Sequence, residues 1–296
     1  MAKQRENPPQ QRIFVGVALV VLTACGRPST SAAPLDGGSA CIGSPLHAYE
    51  ESPGVVQRVF VDLPIDGHPM PFFFDTGSEQ TFRRLDGNPG SEPVAKQIPT
   101  TLSCMSVGLA YSRGSVFGLT PDGRPVGGVI GTDLLGVGGV LDLRIRDSLF
   151  VWSKAVPSLP AGTVTLPATF VKSNDPYSRS KIVVEGVSLD GKPSRLLFDT
   201  GSPHVVIVSN VLRPNETEVE SFDGTGARVK FFESTIEVSY GGTVTRRVIV
   251  DRAASFPTLE KVFAAIGGGE IAGVLGMGAL GHERIVISKD AVHFVL

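Results

Sequence analysis

The sequence predicts a mainly β protein built from two related halves. Beyond Gln57, short runs rich in Val, Ile and Phe alternate with Gly, Pro, Asp and Asn, which is typical of strands and turns. The 35 glycines and 22 prolines among 296 residues leave little room for long helices. The best helix candidate, "PTLEKVFAAIG" at residues 257–267, is short. An internal repeat divides the strands into halves.

The internal repeat predicts the architecture. The segment "IDGHPMPFFFDTGS" at residues 65–78 aligns without a gap on "LDGKPSRLLFDTGS" at residues 189–202, with eight of fourteen positions identical. A second pair follows, "GGVIGTDLLG" and "AGVLGMGALG", and each copy precedes another strand-like run. Such self-similarity indicates two structurally equivalent units. We place them at about residues 55–157 and 163–296, joined through the Pro-containing "AVPSLPAGT".

The residues before the first half predict an export signal and a tether. Residues 1–24 combine basic residues with the apolar run "IFVGVALVVL", which is too short to span a bilayer as a permanent helix. The following "LTAC" resembles the bacterial lipobox, which implies cleavage before Cys25, lipidation of its thiol and anchoring in the cell envelope, with Gly26 favouring the outer membrane. An ordinary signal peptide with a chance cysteine is the alternative. Residues 25–54 are expected to form the lipidated cysteine and a flexible tether.

Charge and cysteine content exclude some functions and leave others open. The 27 basic and 29 acidic residues are mixed along the chain without a basic stripe, so no nucleic-acid partner is expected. If Cys25 carries lipid, Cys41 and Cys104 remain as an even pair in an oxidising compartment. We expect them to form a disulfide, with two buried free thiols as the alternative. The spacing of Cys and His predicts no metal site, and no cofactor is expected.

Asp75 and Asp199 are the candidate catalytic residues. Each follows an apolar run that leads into the core, where a lone carboxylate is costly. Two loops related by the repeat can bring two carboxylates together, and such close like charges share a proton. One Asp-Thr-Gly is a weak signal because Asp-x-Gly is common in turns. Two copies, each followed by an apolar-apolar-Gly element, form a strong one.

On these motifs, the sequence resembles a two-lobed aspartic peptidase of the pepsin and retropepsin type over nearly all of the chain after the tether. The resemblance implies an acid-protease fold, with two β-barrel-like lobes and the active site between them. It implies that Asp75 and Asp199 activate a water molecule against a peptide or protein substrate. A monomer would suffice, because both aspartates lie on one chain.

The resemblance also assigns supporting roles to six loop residues: Thr76, Gly77, Ser78, Thr200, Gly201 and Ser202. The threonines would cross-link the two loops through hydroxyl and backbone hydrogen bonds. The glycines would leave space and turn their N–H groups toward the carboxylates. The serines could donate to the outer carboxylate oxygens, which would lower the pKa values of the pair and give an acidic optimum.

Two hairpins are candidates for the flap that closes over substrate. "SFDGTGARVKFF" at residues 221–232 has a Gly-rich tip at Gly224 and Gly226, placed after Asp199 much as in a retropepsin. In the first half, "GLAYSRGSVFG" offers Tyr111, and a core or edge strand is the alternative there.

A non-catalytic peptide-binding or structural lipoprotein that retains the same fold is the rival hypothesis. Two intact Asp-Thr-Gly-Ser motifs favour the enzyme, because a binding module has no need of two apposed carboxylates.

The predicted lipid anchor can be tested at one residue. Replacing Cys25 with Ala should release the protein from the membrane fraction or leave the precursor uncleaved, because no thiol remains to carry lipid. Cell fractionation and the mass of the product would measure this, with Cys41→Ala as the matched cysteine control. Normal cleavage with unchanged membrane association in Cys25→Ala would exclude lipidation at that position.

Overall fold

The structure of the protein is a computed structural model. It describes residues 32–34, 43–53, 55–79, 81–84, 98–102, 105–112, 118–137, 139–171, 181–222, 228–266, 269–281 and 283–295. Most of these residues lie in β-strands, which confirms the predicted mainly β class. Several predicted features lie outside the described residues: the signal segment, Cys25, Cys41, Cys104 and the tips of both candidate flaps at 113–117 and 223–227.

The described residues of each half form ten strands. Those of the first half are β1 (Ala32–Pro34), β2 (Ser44–Ser52), β3 (Val55–Ile65), β4 (His68–Phe74), β5 (Phe82–Arg84), β6 (Ile98–Leu102), β7 (Met105–Ser112), β8 (Gly128–Ile130), β9 (Val140–Arg144) and β10 (Leu149–Ser153). Those of the second half are β11 (Val164–Val171), β12 (Lys181–Leu189), β13 (Lys192–Phe198), β14 (Val205–Val208), β15 (Thr217–Phe222), β16 (Arg228–Tyr240), β17 (Val244–Ala253), β18 (Gly273–Leu275), β19 (Arg284–Ile287) and β20 (Ala291–Val295). The predicted boundaries at residues 157 and 163 fall between β10 and β11.

Helices make a small contribution to the described part of the chain. Two short 3₁₀ helices follow β8 and β18, at Thr132–Val137 and Met277–Ala279. The helix α1 (Pro257–Ile266) forms where the sequence predicts one, with Leu259, Val262 and Ile266 buried on its inner side. No helix in the described ranges has the length and apolarity needed to cross a membrane.

The segment predicted as a tether differs from that expectation at β1 and β2. Both strands lie within residues 25–54, and β2 pairs with β3 along most of its length. Leu46, near its start, is buried in the main hydrophobic core. The small, polar composition of residues 26–40 therefore does not extend to β2, which is part of the first half.

The same pattern of strand pairing surrounds the Asp-Thr-Gly-Ser loop in each half. In the first half, β4 pairs in parallel with β8, β8 pairs antiparallel with β5, and β5 pairs in parallel with β7. In the second half, β13 pairs in parallel with β18, β18 pairs antiparallel with β14, and β14 pairs in parallel with β17. The sequence repeat is therefore also a structural repeat, and each loop leaves the end of an equivalent strand.

The strands before the loops are paired by matching hairpin turns. Strands β3 and β4 are joined by Asp66 and Gly67, and β12 and β13 by Asp190 and Gly191. All four residues have positive φ, between 47° and 81°. Asp-Gly suits this two-residue turn because Gly and Asp tolerate the left-handed conformation that it requires. The turns fix the register that carries each loop to its position.

A six-stranded antiparallel sheet joins the two halves. Its strands follow the order β2, β10, β9, β19, β20 and β11, three from each half. At its centre, the guanidinium of Arg284 donates to both carboxylate oxygens of the buried Asp142, at 2.8 and 2.7 Å. This bidentate pair links the second half to the first. The sheet holds together the two halves that carry the Asp-Thr-Gly-Ser loops.

Candidate active site

The backbone holds both aspartates at the ends of their strands. The amide of Asp75 donates to the carbonyl of Ile130 at 3.0 Å, and that of Asp199 donates to the carbonyl of Leu275 at 3.1 Å. Ile130 and Leu275 are the last residues of β8 and β18. These strands are the apolar elements that follow each loop in the sequence repeat. Each loop is therefore fixed from behind by the same hydrogen bond.

The two threonines cross-link the loops with four hydrogen bonds. The amide of Thr76 donates to Oγ1 of Thr200 at 2.9 Å, and the amide of Thr200 donates to Oγ1 of Thr76 at 2.9 Å. Each hydroxyl in turn donates into the opposite strand, Thr76 to the carbonyl of Phe198 at 3.2 Å and Thr200 to that of Phe74 at 3.1 Å. The four residues are buried. This reciprocal set fixes the distance between the loops.

The two glycines are required by close approach to the carboxylates. A Cβ on Gly77 would lie 2.7 Å from both carboxylate oxygens of Asp199, and one on Gly201 would lie 2.5 Å from Oδ1 of Asp75. Any larger side chain at either position would therefore separate the aspartates. The small size of glycine also lets its N–H face the site. The amide of Gly77 donates to Oδ1 of Asp75 at 2.8 Å and to Oδ1 of Asp199 at 3.2 Å.

The two carboxyl groups are buried against each other, and both side chains have an exposed fraction of 0%. Burial raises the pKa of Asp75 well above its ordinary value, and repulsion from Asp199 raises it further. Burial also raises the pKa of Asp199, but hydrogen bonds from Asp75 and from the amides of Gly201 and Gly77 oppose that rise. Oδ1 of Asp199 accepts from two amides, those of Gly201 and Gly77, whereas Oδ1 of Asp75 accepts from that of Gly77 alone. When the pair holds one proton, this geometry favours the negative charge on Asp199.

The serines do not make the hydrogen bonds that the sequence led us to expect. Oδ2 of Asp75 and Oδ2 of Asp199, the outer oxygens, are buried and accept no hydrogen bond from the described residues. The hydroxyl of Ser202 donates instead to the carbonyl of His204 at 3.0 Å, two residues further along its own loop. The reason given for low pKa values is therefore wrong, and the acidic optimum stays a prediction without this support.

Lys181 is a neighbour of the site that the sequence patterns did not identify. It opens β12 in the second half, yet its Nζ donates to the carbonyl of Gly77 at 2.5 Å and lies 3.0 Å from Oε1 of Glu79. Its exposed fraction is only 4%. A cation at the start of a strand usually faces solvent, so its sequence position gave no signal.

His204 is a second buried group that the sequence did not single out. One ring nitrogen, Nδ1, lies 2.9 Å from Oδ2 of Asp251, and the other, Nε2, lies 2.7 Å from Oε2 of Glu51. Burial alone would lower the pKa of His204, but the hydrogen bonds and charges of these two carboxylates raise it to about 9. The ring is therefore a cation at neutral pH and links β2 of the first half to the second loop.

The same corner contains the described side chains that come nearest to a metal site. His204, Glu233 and Asp251 offer ligand atoms within 4.8 Å of one another. A metal ion there would have to displace the ring proton shared with Asp251, while Glu51 holds the other nitrogen. The geometry fits a doubly hydrogen-bonded imidazolium better than a metal ligand.

The candidate flaps are described only in part. Strands β15 and β16 form a hairpin in which Phe222 lies opposite Arg228, so the arms of the second-half candidate are present. In the first half, Tyr111 lies in β7 and pairs with Arg83 of β5.

Comparisons with known proteins find similar structures but no similar sequence. The sequence matches no known protein-family profile and no curated protein sequence. The fold is similar to the crystal structure of an aspartic proteinase from Irpex lacteus, with a TM-score of 0.47 and 10% sequence identity. The match covers 90% of this chain and 97% of that chain. A likeness at this level carries no conclusion about activity, which must be argued from the site.

The threonine cross-link predicts a stability loss that depends on the hydroxyl. Thr76→Val or Thr200→Val keeps the shape but leaves a buried N–H and a buried carbonyl unpaired, each costing about 1–3 kcal/mol. We expect either change to lower the free energy of unfolding by about 2–4 kcal/mol in chemical denaturation. Thr76→Ser and Thr200→Ser are the matched controls, because they retain the hydroxyl. Equal losses for Ser and Val would contradict the role given to these bonds.

His204 predicts a pH-dependent contribution to stability. Its folded pKa of about 9 is above the ordinary value of 6.5, so its contribution is complete below about pH 6.5 and is lost as pH rises through 9. The contribution is on the order of 3 kcal/mol. The difference in unfolding free energy between wild type and His204→Gln, followed from about pH 6 to 10, should shrink accordingly.

The matched control for this experiment is His47→Gln, because His47 contacts Asp62 at 2.9 Å but is more than a third exposed. A difference for His204→Gln that stays constant across this pH range would show that the ring is not held as a cation.

Proposed function

We propose that this protein is an aspartic endopeptidase that hydrolyses peptide bonds with a water molecule activated by Asp75 and Asp199. The observation that carries the proposal is the pair of cross-linked loops, in which one amide, that of Gly77, donates to both carboxylates. Two buried carboxyl groups in contact destabilise a fold unless a proton is shared between them. A reaction that uses this proton explains why both are present.

The unequal hydrogen bonding of the two carboxyl groups supports a division of roles. The ionised Asp199 removes a proton from water as the water oxygen attacks the carbonyl carbon of the substrate, while Asp75 gives its proton to the carbonyl oxygen. The product of this step is a neutral tetrahedral diol. Asp199 then protonates the amide nitrogen, Asp75 takes back a hydroxyl proton, and the C–N bond breaks. Both aspartates return to their starting states without a covalent intermediate.

The raised pKa values support activity that extends toward neutral pH. Activity requires the singly protonated pair, so it is lost as pH rises through the higher apparent pKa of the pair. Burial raises the pKa of both carboxyl groups, which moves this limit upward. A near-neutral range also suits the cell envelope, which is the predicted location of the proposed lipid-anchored monomer and its peptide or protein substrate.

One observation favours the rival hypothesis of a non-catalytic peptide-binding or structural protein. Both aspartates have an exposed fraction of 0%, which leaves little surface for a substrate to contact. A peptide in which a hydroxyl group mimics the tetrahedral diol distinguishes the two hypotheses. An enzyme should bind it more tightly than the parent peptide and show a raised melting temperature, because the site is complementary to the transition state.

The proposed activity depends on both aspartates. Asp75→Asn and Asp199→Asn should each reduce kcat/KM in a peptide-library cleavage assay by on the order of 10²–10⁴-fold or more, because each removes the shared proton or the base. Folding should be retained, since the change removes charge repulsion and little volume. Near-wild-type turnover in either variant would contradict the paired mechanism.

The control for this assay is Asp62→Asn. Asp62 is also a buried aspartate, but it contacts His47 and Arg124 and has no contact with the pair. It therefore separates a loss of catalysis from a general effect of replacing a buried acid.

A further inference from the structure

We propose that Lys181 is a positioning residue of this site, which holds the first catalytic loop and sets the pH range over which the aspartate pair is singly ionised. This inference rests on the proposed function. Lys181 is not expected to touch the substrate, and it acts through the loop and through its charge.

The position of the ammonium group is fixed by two contacts across the halves. Lys181 belongs to β12 of the second half, whereas both of its partners, Gly77 and Glu79, belong to the loop of Asp75. The side chains of Lys181 and Glu79 are 5% and 13% exposed, so the ion pair is mostly shielded from solvent. A buried ammonium requires such partners, because its desolvation costs several kcal/mol.

The contact with Gly77 acts on the geometry of the loop. The carbonyl that accepts the hydrogen bond belongs to the peptide group between Gly77 and Ser78. The N–H of that peptide group, on Ser78, donates to the carbonyl of Asp75 at 3.1 Å. Lys181 therefore holds both the turn around Asp75 and the glycine whose amide donates to the two carboxylates.

The acidic partner of the ion pair has no counterpart on the other side of the pseudo-two-fold axis. Equivalent residues in the two loops are 124 positions apart, but a bulge in β12 reduces this offset to 123 before Val187. The counterpart of Lys181 is therefore Arg58, which is also basic, whereas that of Glu79 is the uncharged Pro203. A basic residue at this position belongs to both halves, and the carboxylate of Glu79 that pairs with it belongs to the first loop alone.

The charge of Lys181 favours an ionised aspartate. Its attraction opposes the effect of burial and lowers the pKa of both Asp75 and Asp199. Among the described residues, the titratable groups that interact with it are Glu79 and the two aspartates. Because both carboxyl groups are affected in the same direction, removing the cation should move both limits of the active pH range upward.

Lys181→Met tests this effect through the pH dependence of kcat/KM. An opposite charge at close range typically changes a carboxyl pKa by about one to three units. We therefore expect both limbs of the profile to move to higher pH, with kcat/KM on the acidic side falling on the order of tenfold. Lys181→Arg should restore the wild-type profile, because it retains the charge. Lys289→Met is the control, since Lys289 is exposed and lies beside Asp290 between β19 and β20.

Glu79→Gln provides a second test with the opposite sign. It retains the cation but removes the neighbouring negative charge, so both limbs should move to lower pH. If Lys181→Met does not fold, the pH profile of Glu79→Gln tests the inference instead. An unmoved profile in a folded Lys181→Met, or in Glu79→Gln when the former does not fold, would overturn the inference and leave Lys181 a purely structural residue.

A measurement without substrate separates this inference from the proposed function. The difference in unfolding free energy between wild type and Asp75→Asn reports the titration of the pair. Because the folded pKa is raised, this stabilisation is lost as pH rises through it. In the Lys181→Met background, the loss should occur at higher pH. If the wild type cleaves no peptide but this shift is observed, the proposed function fails and the role of Lys181 stands. If the loss occurs at unchanged pH, the role of Lys181 fails, whatever the activity.

Discussion

Two carboxylates held in contact inside a protein repel each other unless a proton lies between them, and most of the described structure serves to maintain that contact. The hairpins of β3–β4 and β12–β13 bring the chain to the site, and β8 and β18 hold each loop from behind. The threonines fix the separation of the loops, and the six-stranded sheet fixes the halves. The absence of a side chain at Gly77 and Gly201 permits the final approach.

The scaffold is symmetric, whereas the electrostatics around it are not. Hydrogen bonds of the backbone and of the threonines have counterparts on both sides of the axis. Two charged groups have no charged counterpart: Glu79 beside the first loop corresponds to Pro203, and His204 beside the second corresponds to Gln80. A repeated sequence thus provides equal positions, and single substitutions within the repeat make the two carboxyl groups unequal.

The symmetric part of the scaffold could be predicted from the sequence because its motifs occur in both halves. The Asp-Gly turns, the two loops and the apolar elements behind them each have a local pattern, and the repeat confirms that the pattern is not chance. Lys181 and His204 could not be predicted, because their roles depend on partners that are far away in sequence. His204 meets Glu51 across 153 residues, and Lys181 meets Gly77 across 104. The expectation for Ser202 was wrong because its hydroxyl donates to a backbone carbonyl of its own loop instead of the carboxylate.

General acid–base catalysis by two identical groups requires that one holds a proton while the other does not. In a fully symmetric site, the proton would be shared equally, and neither aspartate would be committed to a role. The amide of Gly77 already breaks this equality, because it adds a second donor to Oδ1 of Asp199, which also accepts from Gly201. Lys181 holds the peptide group that follows this amide. The ion pair of Lys181 with Glu79 therefore acts at the point where the two halves of the site become chemically different.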